Sequence, residues 1–249
     1  MTTNKMTHRV KQAIFIWIII ALSYIIVWTI PAYVDFTGKG EGAEQAAAIL
    51  RDCGQFKWYV ITFFLVVLNL FIDEAKKKNW GGILAGLAFF LMDAFNEIWN
   101  GLFYTATGGY AAVWMCSFPT SYQPLMGWNI EIIFMFLIMG LTATKMLPED
   151  REAMVFGKIN NRHFIAFIMA WLCVIVEIIL NWCGALVWNF WWWKPEFPWL
   201  VFLVGYLPFW EISFLVYDLE DTKAQVKVVG AMAGILLAAS VIFGSLGWI

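Results

Sequence analysis

Five carboxylic acids stand inside otherwise apolar stretches of this sequence: Asp93, Glu97, Glu131, Glu177 and Glu211. Asn96, Asn100, Asn129 and Asn181 accompany them. Asp93, Asn96, Glu97 and Asn100 fall at i, i+3, i+4 and i+7, which on a helix makes one continuous polar stripe. Glu177 and Asn181 repeat the i, i+4 spacing. A charge at the centre of a bilayer costs at least about 2.5 kcal/mol, so acids in membrane segments are functional candidates by default. No Lys, Arg or His stands beside these five in sequence: His8 lies in the N-terminal tail and His163 at the start of a later apolar segment. The cluster is therefore either largely protonated, because burial and like charge both favour the neutral carboxyl, or it holds a cation.

Each state has its own chemistry. A neutral carboxylic acid in a dry pocket is a Brønsted acid able to protonate an alkene or an epoxide. A deprotonated cluster binds a metal, Na+ or an organic ammonium. Oxygen-only ligands argue against zinc and haem and leave a carboxylate-bound manganese or iron open, so the cofactor is undetermined and the acid reading requires none. No Ser-His-Asp or Cys-His arrangement is available for nucleophilic catalysis. Trp99, Trp128 and Trp210 stand within three residues of Glu97, Glu131 or Glu211, and Trp182 within five of Glu177. Aromatic faces stabilise cations, so these four are candidates for lining a site that passes through a carbocation or captures an ammonium.

The elements that must position these groups are membrane helices. Of 249 residues, 62% are hydrophobic and 14% charged, against roughly 25% charged in an ordinary soluble domain. Apolar runs of about 20 residues, the length that crosses a hydrocarbon core, recur throughout. Seven are predicted, near 13–33, 57–73, 81–104, 125–147, 164–190, 200–217 and 226–248, giving an all-α polytopic membrane protein whose residues 1–249 form a single domain. With the N-terminus inside, the inside segments hold Lys5, Arg9, Lys11, Lys76, Lys77, Lys78, Lys145, Arg151, Lys158, Arg162, Lys223 and Lys227. The outside segments hold only Lys39, Arg51, Lys57 and Lys194. This excess predicts an N-inside, C-outside topology. The first run lacks a small-x-small cleavage site before Asp35 and reads as a retained anchor. A rise of about 1.5 Å per residue places all five acids roughly 6–16 Å below the outer surface, which suggests one cavity.

The net charge of −2 and the absence of a basic tail argue against a nucleic-acid partner. The expected partners are the lipid bilayer and a lipophilic small molecule, in a bacterial inner membrane or a eukaryotic endomembrane. The run Trp188, Trp191, Trp192, Trp193 and Trp199 reads first as an interfacial aromatic belt. The uncharged loop 105–124 is read as a lid or re-entrant segment over the outer mouth, or as a plain connection. Cys53 and Cys116 fall on the same outer face, where a disulfide between them is conceivable in an oxidising compartment.

Lys78-Asn79-Trp80-Gly81, followed by an apolar helix reaching Asn96-Glu97 and then Gly101 and Tyr104, resembles a helix of the small seven-helix integral-membrane terpene cyclases of meroterpenoid and indole-diterpene pathways. The resemblance covers about 27 residues and implies that Glu97 is the acid of a protonation-initiated cyclisation. Asn96 stands where that family has Trp, and no motif around Glu211 or Asp218 matches its second acid. Residues and resemblance together predict a membrane enzyme performing acid-catalysed cyclisation, isomerisation or hydration of an isoprenoid or lipid. Glu97 is the expected donor, Asp93 and Glu177 its relay partners, and Glu131 and Glu211 stabilisers of cationic character. The alternatives are a transporter or channel for protons, metal ions or organic cations, and a structural subunit of a larger membrane complex. The inner half offers few polar groups beyond Asn69, Ser213 and Thr142, which favours one-sided access and hence the enzyme.

Overall fold

The computed structural model describes residues 7–30, 36–118 and 120–249, and these are mostly helical. Lys5 and Asp35, on which parts of the topology reading fall, lie outside the described residues. The long helices are α1 (His8–Thr29), α3 (Tyr59–Lys76), α4 (Trp80–Ala106), α5 (Ile130–Ala143), α6 (Asn161–Trp182), α7 (Leu207–Tyr217) and α8 (Thr222–Ser245). A short α2 (Ala43–Ala48) lies between α1 and α3, and a two-stranded hairpin, β1 (Met154–Val155) with β2 (Ile159–Asn160), precedes α6. Each predicted apolar segment overlaps one long helix. By length and composition α1, α4, α6 and α8 can each cross a membrane.

Successive helices run in opposite directions, and their ends meet in two layers. At one end Arg9 reaches Glu152, Gln12 reaches the Lys158 carbonyl, and Lys145 reaches Glu74. This basic end gathers the Lys- and Arg-rich connections. At the other, the loop end, Lys39 meets Gly109, Arg51 meets Pro124 and Glu41 meets Asn189.

α4 is the central post, packed against α3, α5, α7 and α8. Its starting point is set by Asn79, whose side chain accepts from the Gly82 N–H and so caps the helix. Small residues on α4 allow close approach to α5: a Cβ on Gly140 would stand 2.5 Å from the Gly86 carbonyl oxygen. No larger residue fits that crossing without parting the two backbones, the usual function of small residues between membrane helices.

Two departures from the sequence reading shape the site. The fifth segment does not stay helical to residue 190. α6 ends at Trp182 and the chain turns through Gly184 at φ 73°, in the left-handed region that glycine tolerates. The sixth segment opens with a π turn over Val201–Tyr206 before continuing as α7.

Candidate acid-lined cavity

The polar stripe of α4 faces a cavity of about 500 Å³ enclosed by α4, α5, α6, the π turn and the loop before α5. Asp93, Asn96, Glu97, Asn129, Glu131 and Glu177 all line it. Three separated segments, α4, the start of α5 and α6, thus bring six of the residues singled out by type and spacing to one place. No Lys, Arg or His is among its described lining residues.

Indole N–H groups orient the two α4 acids. Trp128 Nε1 donates to Asp93 Oδ2 at 2.8 Å, and Trp114 Nε1 donates to Glu97 Oε1 at 2.8 Å. Indole is a donor only, so each of these oxygens acts as an acceptor. Glu97 Oε2 is buried and has no partner among the described residues. The proton of a neutral Glu97 is therefore carried on Oε2, where no protein acceptor competes for it. Asn96 donates from Nδ2 to the Val204 carbonyl at 2.8 Å, within the π turn, and accepts from the Tyr24 hydroxyl. Glu177 lies across the cavity beside Tyr206.

Glu131 has a different setting. It accepts from the Tyr59 hydroxyl, from Thr120 Oγ1 at 2.5 Å and from the Ser121 N–H at 2.8 Å. Three donors satisfy this carboxylate, so it latches the loop to α3 and α5 rather than waiting for a cation. Asn129 lines the cavity while capping α5 through the Ile132 N–H.

Other candidates lie outside the cavity. Asn100 belongs to the α4 stripe but holds the loop backbone, accepting from Val113 N–H at 2.8 Å and donating to the Trp114 carbonyl at 2.7 Å. Asn181 donates to the Leu186 carbonyl and closes the end of α6. Trp182 is 72% exposed and points away from the site. Trp99 is buried in an aromatic stack with Trp114, and Trp210 packs edge-on against Phe89. Trp128 acts through Asp93 and does not line the cavity.

Glu211 leaves the cluster altogether. Its carboxylate meets His163 Nδ1 at 2.9 Å, in the first turn of α6 at the basic end. The expectation that no basic residue accompanies the acids is therefore corrected for Glu211. His163 precedes Glu177 by fourteen residues on α6, about 21 Å of rise, so the five acids are not at one level. With Arg9, Arg162 and Asp218 the pair lines a second cavity of about 610 Å³. The basic end is thus more polar than its helix sequences indicate.

The loop before α5 is neither a free-standing lid nor a plain link. Ala111 through Cys116 are buried, as are Thr120, Ser121 and Gln123. Gly127 makes the roof possible: a Cβ there would lie 2.4 Å from the Trp114 ring. Trp114, Cys116, Trp193 and Tyr206 line the cavity and were not singled out as site residues. For the three in loops the signal was weak, because loop residues have no helical period to reveal a face. Within the Trp run, Trp191 and Trp199 are exposed as a belt requires, whereas Trp188, Trp192 and Trp193 are core, with Trp193 stacked 5.1 Å from Trp114. Cys53 and Cys116 are both free, so the conceivable disulfide is absent. Burial pushes the Cys116 thiol up, leaving a neutral lining group and not a nucleophile. No group of three or more His, Cys, Asp or Glu among the described residues is placed to hold a metal ion.

Apolar helices arranged around an internal acid-lined chamber define a helical integral membrane protein. The chain belongs to an uncharacterized membrane protein family, whose model matches residues 40–245 and so spans every lining residue of the cavity. An Archaeoglobus fulgidus relative, described as an uncharacterized protein, is 50% identical over 210 residues, covering 84% of this chain and 99% of its own length. A second uncharacterized protein from that archaeon is 43% identical over 53 residues, 21% of this chain and 95% of its own length. No solved structure matches the chain.

Proposed function

We propose that the protein is a membrane-embedded enzyme that protonates an alkene or epoxide in a lipophilic substrate, leading to cyclisation, isomerisation or hydration. The observation that carries this reading is the setting of Glu97: one oxygen held by Trp114, the other buried without a partner among the described residues, in a cavity that also holds Asp93 and Glu177. In the reaction the Glu97 Oε2–H bond breaks and a C–H bond forms from the alkene π pair; with an epoxide the proton goes to the oxygen, and an O–H bond forms as a C–O bond breaks. The resulting carbocation either loses a proton from a neighbouring carbon or is captured by water, whose oxonium then loses a proton, and in both cases that proton returns the donor to its acid form through Glu177 or Asp93. Trp114, Trp193 and Phe136 line the space in which the cation forms, and their ring faces favour it. The resemblance of the α4 segment to the terpene cyclases points to the same role for Glu97.

The reading includes seven membrane crossings with the basic end facing the cytoplasm, as the distribution of Lys and Arg supports. Its test uses solvent isotope. Proteoliposomes supplied with polyprenyl alkenes in D2O should yield products carrying one deuterium at the protonated carbon, read by mass spectrometry, whereas the corresponding epoxides, protonated on oxygen, should give ring-opened products whose deuterium sits on the new hydroxyl and washes out. Alkene-derived products without deuterium, or no product from any of these compounds, count against the acid-donor reading.

A second reading, a proton or organic-cation transporter, has one observation in its favour. The cavity containing His163 and Glu211 at the basic end supplies the polar groups on the far side that such a protein needs. Phe89, Phe209 and Trp210 are buried and packed against one another beside Glu211. That aromatic layer favours the enzyme.

A further inference from the structure

The acid-lined cavity is closed above and open at its side. Its roof, the loop before α5, is buried over residues 111–116 and at Thr120, Ser121 and Gln123, and tied down at separate points: Asn100 grips Val113 and Trp114, and Glu131 grips Tyr59, Thr120 and Ser121. The wall between α5 and α6 has no such closure. α5 packs on α3 and α4, whereas α6 packs on α7 and the π turn. Met135 and Met139 of α5, and Val176 and Leu180 of α6, line the cavity. Three of them also reach the outer surface: Met135 is 41% exposed, Val176 52% and Leu180 37%. Residues that line an interior space and also lie on a membrane-facing surface mark where the two communicate.

We infer that the cavity is loaded sideways from the bilayer, through a slot between α5 and α6, by the hydrocarbon chain of a membrane-dissolved amphiphile. This rests on reading the cavity as the site of a lipophilic substrate. Met135, Met139, Val176 and Leu180, which edge the slot, are all apolar, so a charged headgroup cannot pass between them without being stripped of water. A hydrocarbon chain passes at no such cost, and the flexible thioethers of Met135 and Met139 can yield to it. A volume of about 500 Å³ lies within the range of about 300–1,000 Å³ that encloses small lipophilic ligands. Chain-first entry delivers a double bond to Glu97 while the headgroup remains outside. It also keeps the acid dry, since the roof excludes water from the loop end.

The slot is tested by photolabelling in proteoliposomes with two alkyl-diazirine probes, one a straight acyl chain and one polyprenyl. Such reagents label protonated carboxyls, and adducts are mapped by mass spectrometry. Adducts are expected on Glu97, Glu177 and Asp93. In a Met135→Trp, Val176→Trp double variant they should fall about tenfold, while labelling of lipid-facing residues elsewhere stays constant. Leu180→Trp provides an independent block should the double variant fail to fold. Labelling by one probe alone identifies the chain type admitted; labelling by both shows a slot that reads only apolar character. Three results would overturn the inference: interior carboxyls never labelled, interior labelling unchanged in the blocked variants, or equal interior labelling by a water-soluble diazirine. In Glu97→Gln, labelling of Glu177 should persist even though turnover is lost, so failure of the entry route and failure of the acid mechanism are read separately.

Discussion

Glu97→Gln is expected to give a folded, inserted protein that forms no detectable product. The amide keeps an oxygen to accept from Trp114 Nε1 and replaces the acid's O–H by N–H donors that cannot be given up to carbon. General acid catalysis is worth about 10²–10⁴-fold, so turnover should fall at least that far. The new NH2 has no acceptor among the described residues in the place of Oε2; it brings one more unpaired donor than the acid's single O–H, and a buried unsatisfied donor costs about 1–3 kcal/mol. A modest loss of thermal stability with a complete loss of product is thus the expected pair of results. If Glu97 were only a strut between helices, the amide would serve nearly as well and turnover would be untouched. Wild-type turnover in this variant would end its assignment as the donor.

Asp218→Asn is expected to cost more stability than any single change elsewhere at the basic end. Asp218 accepts from Arg162 Nε and Nη2, each at 3.1 Å, and from Arg9 Nη1 at 3.1 Å. The side chains of Asp218 and Arg162 are only 4% and 5% exposed. Removing this carboxylate leaves the buried Arg162 guanidinium without an ionic partner, beside an Arg9 that keeps only Glu152, and breaking a buried pair in this way costs about 3–5 kcal/mol. Glu152→Gln is the natural comparison. Glu152 also pairs with Arg9, but its side chain is 43% exposed, and such a pair is worth about 0–1 kcal/mol. Thermal unfolding in detergent, followed by tryptophan fluorescence, separates the two. Equal effects would show that the buried network is solvated and does not hold α1, α6 and α7 together.

How much could be read beforehand differs residue by residue, and the reasons are physical. Asp93, Asn96 and Glu97 were legible because one helix of regular period carries them, and a polar stripe on an apolar helix must turn away from lipid. Asn100 belongs to that same stripe, yet it meets the loop rather than the cavity. Period says which side of a helix a residue faces but not what chain will arrive there. Glu211 was misplaced because its partner, His163, is 48 positions away, and only the antiparallel packing of α6 on α7 brings them together. Trp114 was invisible as an oriented donor because nothing in an aperiodic loop announces which side chain turns inward. Trp193 was obscured by its company: five tryptophans near a predicted helix end look like an interfacial belt, although three are core. The seven helical segments themselves were plain, since each needs only length and apolar character.

The π turn at Val201–Tyr206 acts as a gear between the two cavities. A π turn spaces its hydrogen bonds one residue wider than an α-helix does, and Asn96 occupies the Val204 carbonyl within it. Above it the chain presents Gly205 and Tyr206 to the acid-lined chamber; below it α7 presents Glu211 to His163. An α-helix rotates about 100° per residue, so a chain shorter by one residue here would turn everything downstream by that angle. Glu211 and Asp218 would then leave their partners together, although neither had been altered. One backbone irregularity thereby phases two chemically separate chambers, and what varies independently in the sequence is mechanically a single setting.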